Sequence, residues 1–332
     1  MKICICGGGG LGHVCAGVMA SQKDVELNIL SGHPGNWQDT ITVTDLNGKH
    51  YVAKIKRVSS KPEEVIVEQD IILFCQPGYL IEKTLRDIKP YIGNAAVGTV
   101  VSSTGFFFFA HDILGENAKL FGFQRVPFIS RVVDYGKTAN LLGYKSSLAV
   151  VMEKVENTEG FRKELERLFI TPVSLLNSFY EVALSNSNPI LHTGRLYTMF
   201  HGRENEVFDH NILFYKEWTD EASQMLIDMD AEFFQLLDKL GVHTLPALLD
   251  YYESYDGASL TRKIQSIPAF QSITSPMKQV DGGWVADFGS RYFTEDFPFG
   301  LRWIVETANK QSIKMEIIPK VFKWGVKEIY QF

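Results

Sequence analysis

The sequence predicts an α/β fold in its N-terminal half, extended by antiparallel strands and followed by a mainly α-helical second domain. Apolar runs of strand length alternate with helical periodicity up to residue 173, and helical spacing dominates after it. With 332 residues, the chain is long enough for two ordinary domains. No linker marks the border, so the domains are placed by pattern alone at 1–173 and 174–332.

The first seventeen residues carry the most informative motif. Lys2 to Cys6 is an apolar strand, and apolar residues at helical spacing begin at Leu11. Between them, Gly7, Gly9 and Gly12 form G-x-G-x-x-G in the strand–turn–helix context of a Rossmann-type dinucleotide-binding domain. The three glycines would turn the chain, admit a pyrophosphate and let the helix pack closely, while free N–H groups of the helix hold the phosphates. The predicted cofactor contacts here are Gly7, Gly9, Gly10, Leu11 and Gly12. The alternative is a glycine-rich turn of another α/β protein.

The end of the second predicted strand bears on which cofactor is bound. Val25 to Leu30 alternates apolar and polar residues and ends in Ser31-Gly32-His33. An NAD site usually has an Asp or Glu there for the ribose hydroxyls, and none is present. Ser31 and His33 therefore favour NADP over NAD as cofactor contacts, unless they are plain loop residues and the choice is made elsewhere.

The next elements continue the nucleotide-binding pattern. Asn47-Gly48 between two alternating runs, 41–43 and 50–55, predicts a β-hairpin. Asp70 to Cys75 is a continuous apolar run, as expected for a strand buried on both faces. Gln76 and Pro77 follow at its carboxyl end, where ligands bind in open α/β sheets, and are predicted cofactor contacts.

Four short β-like runs then predict an antiparallel extension of the sheet. They are Lys119–Phe123, Phe128–Asp134, Thr138–Leu142 and Ser147–Met152. The four phenylalanines 106–109 before them fit a buried strand or the start of a helix.

Composition excludes several classes of protein. A net charge of −6 argues against a nucleic-acid surface or a binder of anionic membranes. No apolar stretch approaches the roughly 20 residues of a membrane span, and the N-terminus lacks a signal-peptide layout. The four cysteines show no zinc-ligand spacing, so we expect no metal site and interpret them as buried free thiols. Together these features predict a cytoplasmic protein.

Two stretches of the second domain could carry chemistry. His192, in Asn188-Pro189-Ile190-Leu191-His192, could exchange a proton near neutral pH or be a structural histidine. Asp296 could orient that histidine and raise its basicity, or cap a helix. Arg291 could bind a substrate carboxylate bidentately, or be an exposed or ion-paired arginine.

Taken together, these residues resemble the octopine/nopaline (opine) dehydrogenase family. The resemblance is carried by Gly7–Gly12, Gln76-Pro77-Gly78, Asn188-Pro-x-x-His192, Arg291-Tyr-x-x-Glu-Asp296-x-Pro and, between them, Phe128 to Gly143 with Arg131 and Tyr135-Gly136. It covers most of the chain.

The resemblance implies a function. The N-terminal domain would bind NAD(P)H, the helical domain would close over it, and an amino acid's amine would be condensed reductively with a 2-oxo acid. His192 would be the general acid/base, Asp296 its partner, and Arg291 and Asn188 substrate-binding groups. The loop 103–106 and the segment 201–216 depart from the family pattern, which leaves the amine and the oxo acid open.

Two other hypotheses remain. One is a 2-oxo acid reductase similar to ketopantoate reductase, a family that relies on a catalytic lysine; the stretch 188–194 contains none. The other is a non-catalytic NADP-binding protein, since fold does not determine function. The expected partners are small-molecule substrates, and a homodimer is left open.

Overall fold

The computed structural model describes residues 1–330. Its strands are β1 Lys2–Cys6, β2 Glu26–Leu30, β3 Thr40–Asp45, β4 His50–Lys54, β5 Arg57–Ser59, β6 Ile71–Phe74, β7 Ala96–Thr99, β8 Leu120–Phe123, β9 Phe128–Asp134, β10 Thr138–Tyr144, β11 Leu148–Glu153, β12 Val173–Leu175, β13 Met277–Val280 and β14 Gly283–Ala286. Its α-helices are α1 Gly10–Ala20, α2 Pro62–Val65, α3 Gly78–Ile88, α4 Phe106–Leu114, α5 Thr158–Phe169, α6 Tyr180–Ala183, α7 Asn188–Phe200, α8 Asp220–Lys239, α9 Leu248–Tyr251, α10 Gly257–Ser266, α11 Arg291–Thr294, α12 Arg302–Lys310 and α13 Ile317–Tyr330. A π-helical turn, Phe297–Leu301, directly precedes α12.

The chain divides into two compact units, and the second begins at Leu184. This border lies later than the pattern-based border near Val173. The reason is that Val173 begins β12, which pairs in parallel with β11 and completes the first unit's main sheet. A border at Val173 would remove a strand from that sheet.

The main sheet has the order β12-β11-β8-β7-β6-β1-β2-β5. The strands from β8 to β5 in this order pair in parallel, and all four residues of β6 are buried, as its apolar run predicts. β11 pairs antiparallel with β8, which confirms an antiparallel extension. The phenylalanine run begins α4, with three of its four rings buried.

The extension is smaller than the four β-like runs suggested. β9 and β10 do not join the main sheet; they form a second sheet of order β4-β3-β10-β9 with the predicted hairpin. This second sheet covers the outer face of α1, so that residues Gly12 to Met19 are all buried. A Cβ at Gly17 would lie 2.3 Å from Val43 Cγ2 on β3, so only glycine permits this close packing.

The four cysteines are buried and unpaired, which confirms the free-thiol interpretation. They lie on β1, on α1 and directly after β6. Neighbouring thiols and burial hold the pKa values of Cys6 and Cys75 well above the ordinary range of a thiol. These thiols therefore stay protonated at neutral pH and behave as small apolar side chains.

The second unit is mainly helical, with the β13–β14 hairpin as its sheet. Phe293 and Phe297 are fully buried and stack at 5.6 Å. A Cβ at Gly325 would lie 2.0 Å from the ring of Phe297, so glycine lets α13 lie directly against this aromatic pair. Among residues 1–330, no helix combines the length and the apolarity needed to cross a membrane.

One buried carboxyl group predicts how the stability of the second unit varies with pH. Asp230 on α8 is 8% exposed, and its Oδ2 accepts a hydrogen bond from the Leu248 N–H at 2.8 Å. Burial raises the pKa of Asp230 to about 6. Because the folded pKa exceeds the unfolded one, the folded state binds this proton more tightly, and the associated stability is lost as pH rises from about 4 to about 6.

We therefore expect Asp230→Asn to become more stable relative to the wild type by about 2–3 kcal/mol between pH 4 and pH 7. Urea unfolding at both pH values measures this difference. Asp228→Asn, two positions earlier on α8 and not buried, is the matched control. Equal pH dependence in Asp230→Asn and the wild type would contradict the prediction.

Candidate active site

The glycine loop after β1 has the geometry of an anion-binding turn. Gly7 has φ +118°, and a Cβ at Gly12 would lie 2.1 Å from the Gly7 carbonyl oxygen. A Cβ at Gly9 would meet nothing within 4 Å, so the space above this residue is open. Helix α1 begins at Gly10, and no side chain caps its first turn. Its unpaired backbone N–H groups, including that of Leu11, can bind phosphate oxygens.

Gln76 lies against this loop from the carboxyl end of β6. Its Cγ is 2.9 Å from the position of a Cβ at Gly7, and its Oε1 is buried without a hydrogen-bond donor among the described residues. An unsatisfied buried amide oxygen costs about 1–3 kcal/mol. A cofactor hydroxyl or amide could satisfy this oxygen. Pro77 follows as the N-cap residue directly before α3. These residues fit a dinucleotide cofactor.

The end of β2 differs in detail from the sequence-based expectation. The Ser31 hydroxyl is buried and already has three partners: the His33 N–H, the Trp37 indole N–H and the Tyr135 hydroxyl. The His33 side chain is exposed. At this edge, His33 is thus more accessible to a cofactor than Ser31.

Residues that no motif identified support the loop from outside. The ring of His13 is buried; its Nε2 accepts the Gly136 N–H at 2.8 Å, so its Nδ1–H donates to the Gly9 carbonyl at 3.0 Å. The same ring stacks on Trp37 at 4.3 Å, and burial lowers the pKa of His13. A neutral histidine thus ties the glycine loop to the β9–β10 turn. Only the position of His13 directly after the glycine motif could have suggested this role.

In the second unit, local packing brings the two predicted motifs together. Asn188 and His192 lie four residues apart on one face of α7, and Pro189 occupies its first turn. A Cβ at Gly300 would lie 2.5 Å from Pro189 Cγ, so the π-helical turn packs closely against the start of α7. The Leu301 N–H donates to the Asp296 carbonyl at 2.7 Å across that turn. This arrangement brings the Asp296 carboxylate beside the His192 ring.

The His192 ring has a hydrogen-bond partner at each nitrogen. Nδ1 is 2.8 Å from Asp296 Oδ2, and Nε2 is 3.0 Å from the hydroxyl of Tyr215. A carboxylate only accepts, so Nδ1 carries the proton and Nε2 accepts from the Tyr215 O–H. The His192 and Asp296 side chains are 12% and 17% exposed. Such a ring is held in one tautomer and can exchange a proton at Nε2.

Two predicted substrate-binding residues lie near this pair in the sequence and are exposed. Arg291 begins α11, and its guanidinium has no ion-pair partner within residues 1–330. The adjacent Tyr292 packs its ring 4.7 Å from that of His192. Asn188 is exposed at the first turn of α7. The guanidinium of Arg291 is thus free to bind a carboxylate.

Tyr215 is the site residue that the sequence analysis missed. It lies in the segment 201–216, where no family motif could be carried over. It contacts His192, which lies 23 positions earlier. The chain between α7 and Tyr215 is largely irregular, so no periodic pattern indicates this contact. The only signal was the aromatic content of that stretch.

The fold and these two clusters define a class of protein. A parallel sheet with an uncapped glycine turn at its first βα connection binds a dinucleotide, and an oriented histidine in a helical unit supplies acid–base chemistry. This combination is that of a nicotinamide-dependent dehydrogenase.

Comparison with known proteins shows which dehydrogenases this chain is similar to. Residues 175–327 match the model for the NAD/NADP octopine/nopaline dehydrogenase alpha-helical domain. Octopine dehydrogenase of Mizuhopecten yessoensis is 25% identical over 360 residues, covering 99% of this chain and 90% of that protein. Tauropine dehydrogenase of Arabella iricolor is 27% identical, covering 97% and 90%. A solved octopine dehydrogenase in complex with NADH and agmatine has the same fold, with a TM-score of 0.86, 24% identity and coverage of 99% and 90%. The chain is thus an NAD(P)-dependent oxidoreductase whose residues 175–327 match the helical domain of the octopine/nopaline dehydrogenases, which confirms the resemblance.

Proposed function

We propose that this protein condenses the amine of an amino acid with a 2-oxo acid and reduces the resulting imine, giving an N-carboxyalkyl amino acid. The observation that carries the proposal is the 2.8 Å contact between His192 Nδ1 and Asp296 Oδ2. It joins the two motifs on which the family resemblance depends. The reaction consumes one amine, one 2-oxo acid, one hydride and one proton, and releases water.

The first unit would hold the cofactor. The N–H groups of the first turn of α1 would bind its pyrophosphate, and the Gln76 amide oxygen would accept a hydrogen bond from a hydroxyl or amide group of the cofactor. No carboxylate follows β2, so we propose NADPH rather than NADH, and the exposed side chain of His33 would contact the 2′-phosphate. When bound, the cofactor supplies the hydride.

His192 would supply the proton. A proton released from its protonated Nε2 is delivered to the imine nitrogen as the imine carbon is reduced, while Asp296 stabilises the imidazolium and keeps Nδ1 protonated. Because both side chains are mostly buried, their hydrogen bond is shielded from water.

Arg291 and Asn188 would bind the substrate. The guanidinium pairs bidentately with a substrate carboxylate, which both substrates of this reaction carry. Asn188, one turn before His192 on α7, offers an amide to the same molecule. The substrates are small, and the four buried free thiols fit a reducing, cytoplasmic compartment.

A panel of turnover assays tests the function. The wild-type chain is mixed with NADPH or NADH, a series of amino acids and amines including agmatine, and a series of 2-oxo acids beginning with pyruvate. We expect cofactor oxidation that requires both an amine and an oxo acid, with NADPH preferred. Oxidation with the oxo acid alone would instead identify a 2-oxo acid reductase. If the protein bound the cofactor but turned over no pair of substrates, it would be neither an opine dehydrogenase nor a 2-oxo acid reductase.

A further inference from the structure

The hydroxyl of Tyr215 is hydrogen-bonded to Nε2 of His192, the nitrogen from which the proposed reaction takes its proton. Its hydroxyl is 3.0 Å from Nε2, while Nδ1 is engaged by Asp296. A ring nitrogen makes one in-plane hydrogen bond, so a substrate atom can reach Nε2 directly only if Tyr215 moves away.

The packing around Tyr215 opposes such a movement. The residue is 6% exposed, and its ring stacks on Phe270 at 4.2 Å with an interplanar angle of 21°. The ring of Trp218 lies parallel to it, at 6.2 Å and 5°. A large aromatic ring with two such parallel neighbours would lose both contacts on leaving this position.

The backbone beside Tyr215 is also fixed, by a buried cation on the same helix as His192. Arg195 lies three residues after His192 on α7 and donates to the carbonyls of Phe214 at 3.3 Å and Glu217 at 2.6 Å. Burial lowers the pKa of Arg195 to about 10, so the guanidinium remains charged at neutral pH. Helix α7 thus carries both the histidine and the arginine that holds the Tyr215 segment against it.

We propose that Tyr215 is the terminal proton donor of the reaction, and that His192 acts through it. The O–H bond of Tyr215 breaks as an N–H bond forms on the imine nitrogen, and the Nε2–H proton of His192 passes to the Tyr215 oxygen in the same step. Tyr215 is regenerated, His192 becomes neutral, and one proton has been delivered. This inference rests on the proposed function, because it specifies the path of that reaction's proton.

The chemistry of the phenol agrees with a relay. Burial is the main cause that raises the pKa of Tyr215 far above its ordinary value, with nearby ionisable groups adding to it. The phenolate therefore does not accumulate, and Tyr215 can lose a proton only when His192 replaces it at once. Before the transfer, Asp296 at the other end of the chain of hydrogen bonds carries the negative charge that compensates the imidazolium of His192.

The test removes the hydroxyl and keeps the ring. We expect Tyr215→Phe to lower kcat by about 10²-fold or more, with the KM of both substrates and the melting temperature near their wild-type values. Tyr197→Phe is the matched control: Tyr197 is also 6% exposed and lies on α7, but stacks on His201 away from His192. It should keep full activity. Wild-type kcat in Tyr215→Phe would overturn the relay.

A second measurement needs no variant. Single-turnover oxidation of NADPH in mixtures of H₂O and D₂O follows the reduction step itself. Two protons moving together give a curved dependence of the rate on the deuterium fraction, which we expect; a linear dependence would overturn the relay. Both results presuppose turnover, so a wild-type chain inactive with every amine and oxo acid would refute the proposed function, whereas an active chain with a linear dependence would refute only the role of Tyr215.

Discussion

Replacing His192 by glutamine is expected to reduce kcat of the proposed reaction by about 10²–10⁴-fold, the usual contribution of a positioned proton donor. Glutamine cannot ionise, so proton delivery to the imine stops. Its amide N–H can still donate to Asp296, which avoids leaving a buried carboxylate without a partner. Stopped-flow measurement of NADPH oxidation gives kcat directly.

Two further measurements isolate the chemical role of His192. The affinity for NADPH should be unchanged, because the proposed cofactor-binding residues lie in the other unit. His201→Gln, at the end of the same helix, removes a histidine that stacks on Tyr197 and should keep wild-type kcat. If His192→Gln retained wild-type kcat, His192 would not be the acid, and the proposed mechanism would be wrong.

The features that the sequence predicted are mostly ones formed by residues close together in the chain. The spacing of Gly7, Gly9 and Gly12 reflects contacts made within a few residues, so the turn was recognisable from the sequence alone. The Asn47-Gly48 hairpin is local in the same sense, and the structure confirms it. His192 and Asp296 lie 104 positions apart, and they were connected by a chemical scheme and by the family resemblance, not by local spacing.

The contacts that sequence reasoning missed are non-local, and one partner in each of them lies outside any motif. His13 meets Gly136 across 123 positions, and Tyr215 meets His192 through an irregular segment. The alternating pattern of β9 and β10 predicted strands correctly, but alternation does not specify which strand is the neighbour. Their pairing in the second sheet depends on burying α1, a helix apolar on nearly every side.

Ser31 illustrates a second kind of limit. A hydroxyl at the end of β2 was a reasonable cofactor contact, yet the structure uses it to hold Trp37 and Tyr135. A polar residue in a binding loop can serve the loop's own structure, and only the hydrogen-bond partners distinguish the two roles. His33, two residues after Ser31, would then determine the preference for NADPH over NADH.

The glycine loop packs α1 against β1 and is the proposed binding site for the cofactor's phosphates. Two glycine-to-alanine substitutions, each adding one methyl group, test these roles separately. At Gly12 a Cβ would lie 2.1 Å from the Gly7 carbonyl oxygen, closer than real contacts permit. Gly12→Ala should therefore displace α1 from β1, with an expected loss of about 1–3 kcal/mol of folding stability. It should also abolish measurable NADPH binding, because the helix N-terminus moves with it.

Gly9→Ala should behave differently, because its Cβ would meet no atom within 4 Å and its φ of −77° suits alanine. The melting temperature should stay at the wild-type value, while the Kd for NADPH rises by at least about tenfold, since the methyl group occupies space that the pyrophosphate needs. Gly257→Ala, in the second unit and with the nearest neighbouring side-chain atom 3.8 Å from its Cβ, is the control for both measurements. Cofactor fluorescence titration and thermal unfolding give the two quantities. If Gly9→Ala bound NADPH as tightly as the wild type, the phosphates would not lie over this loop, since a methyl group on Gly9 points into the volume they would fill.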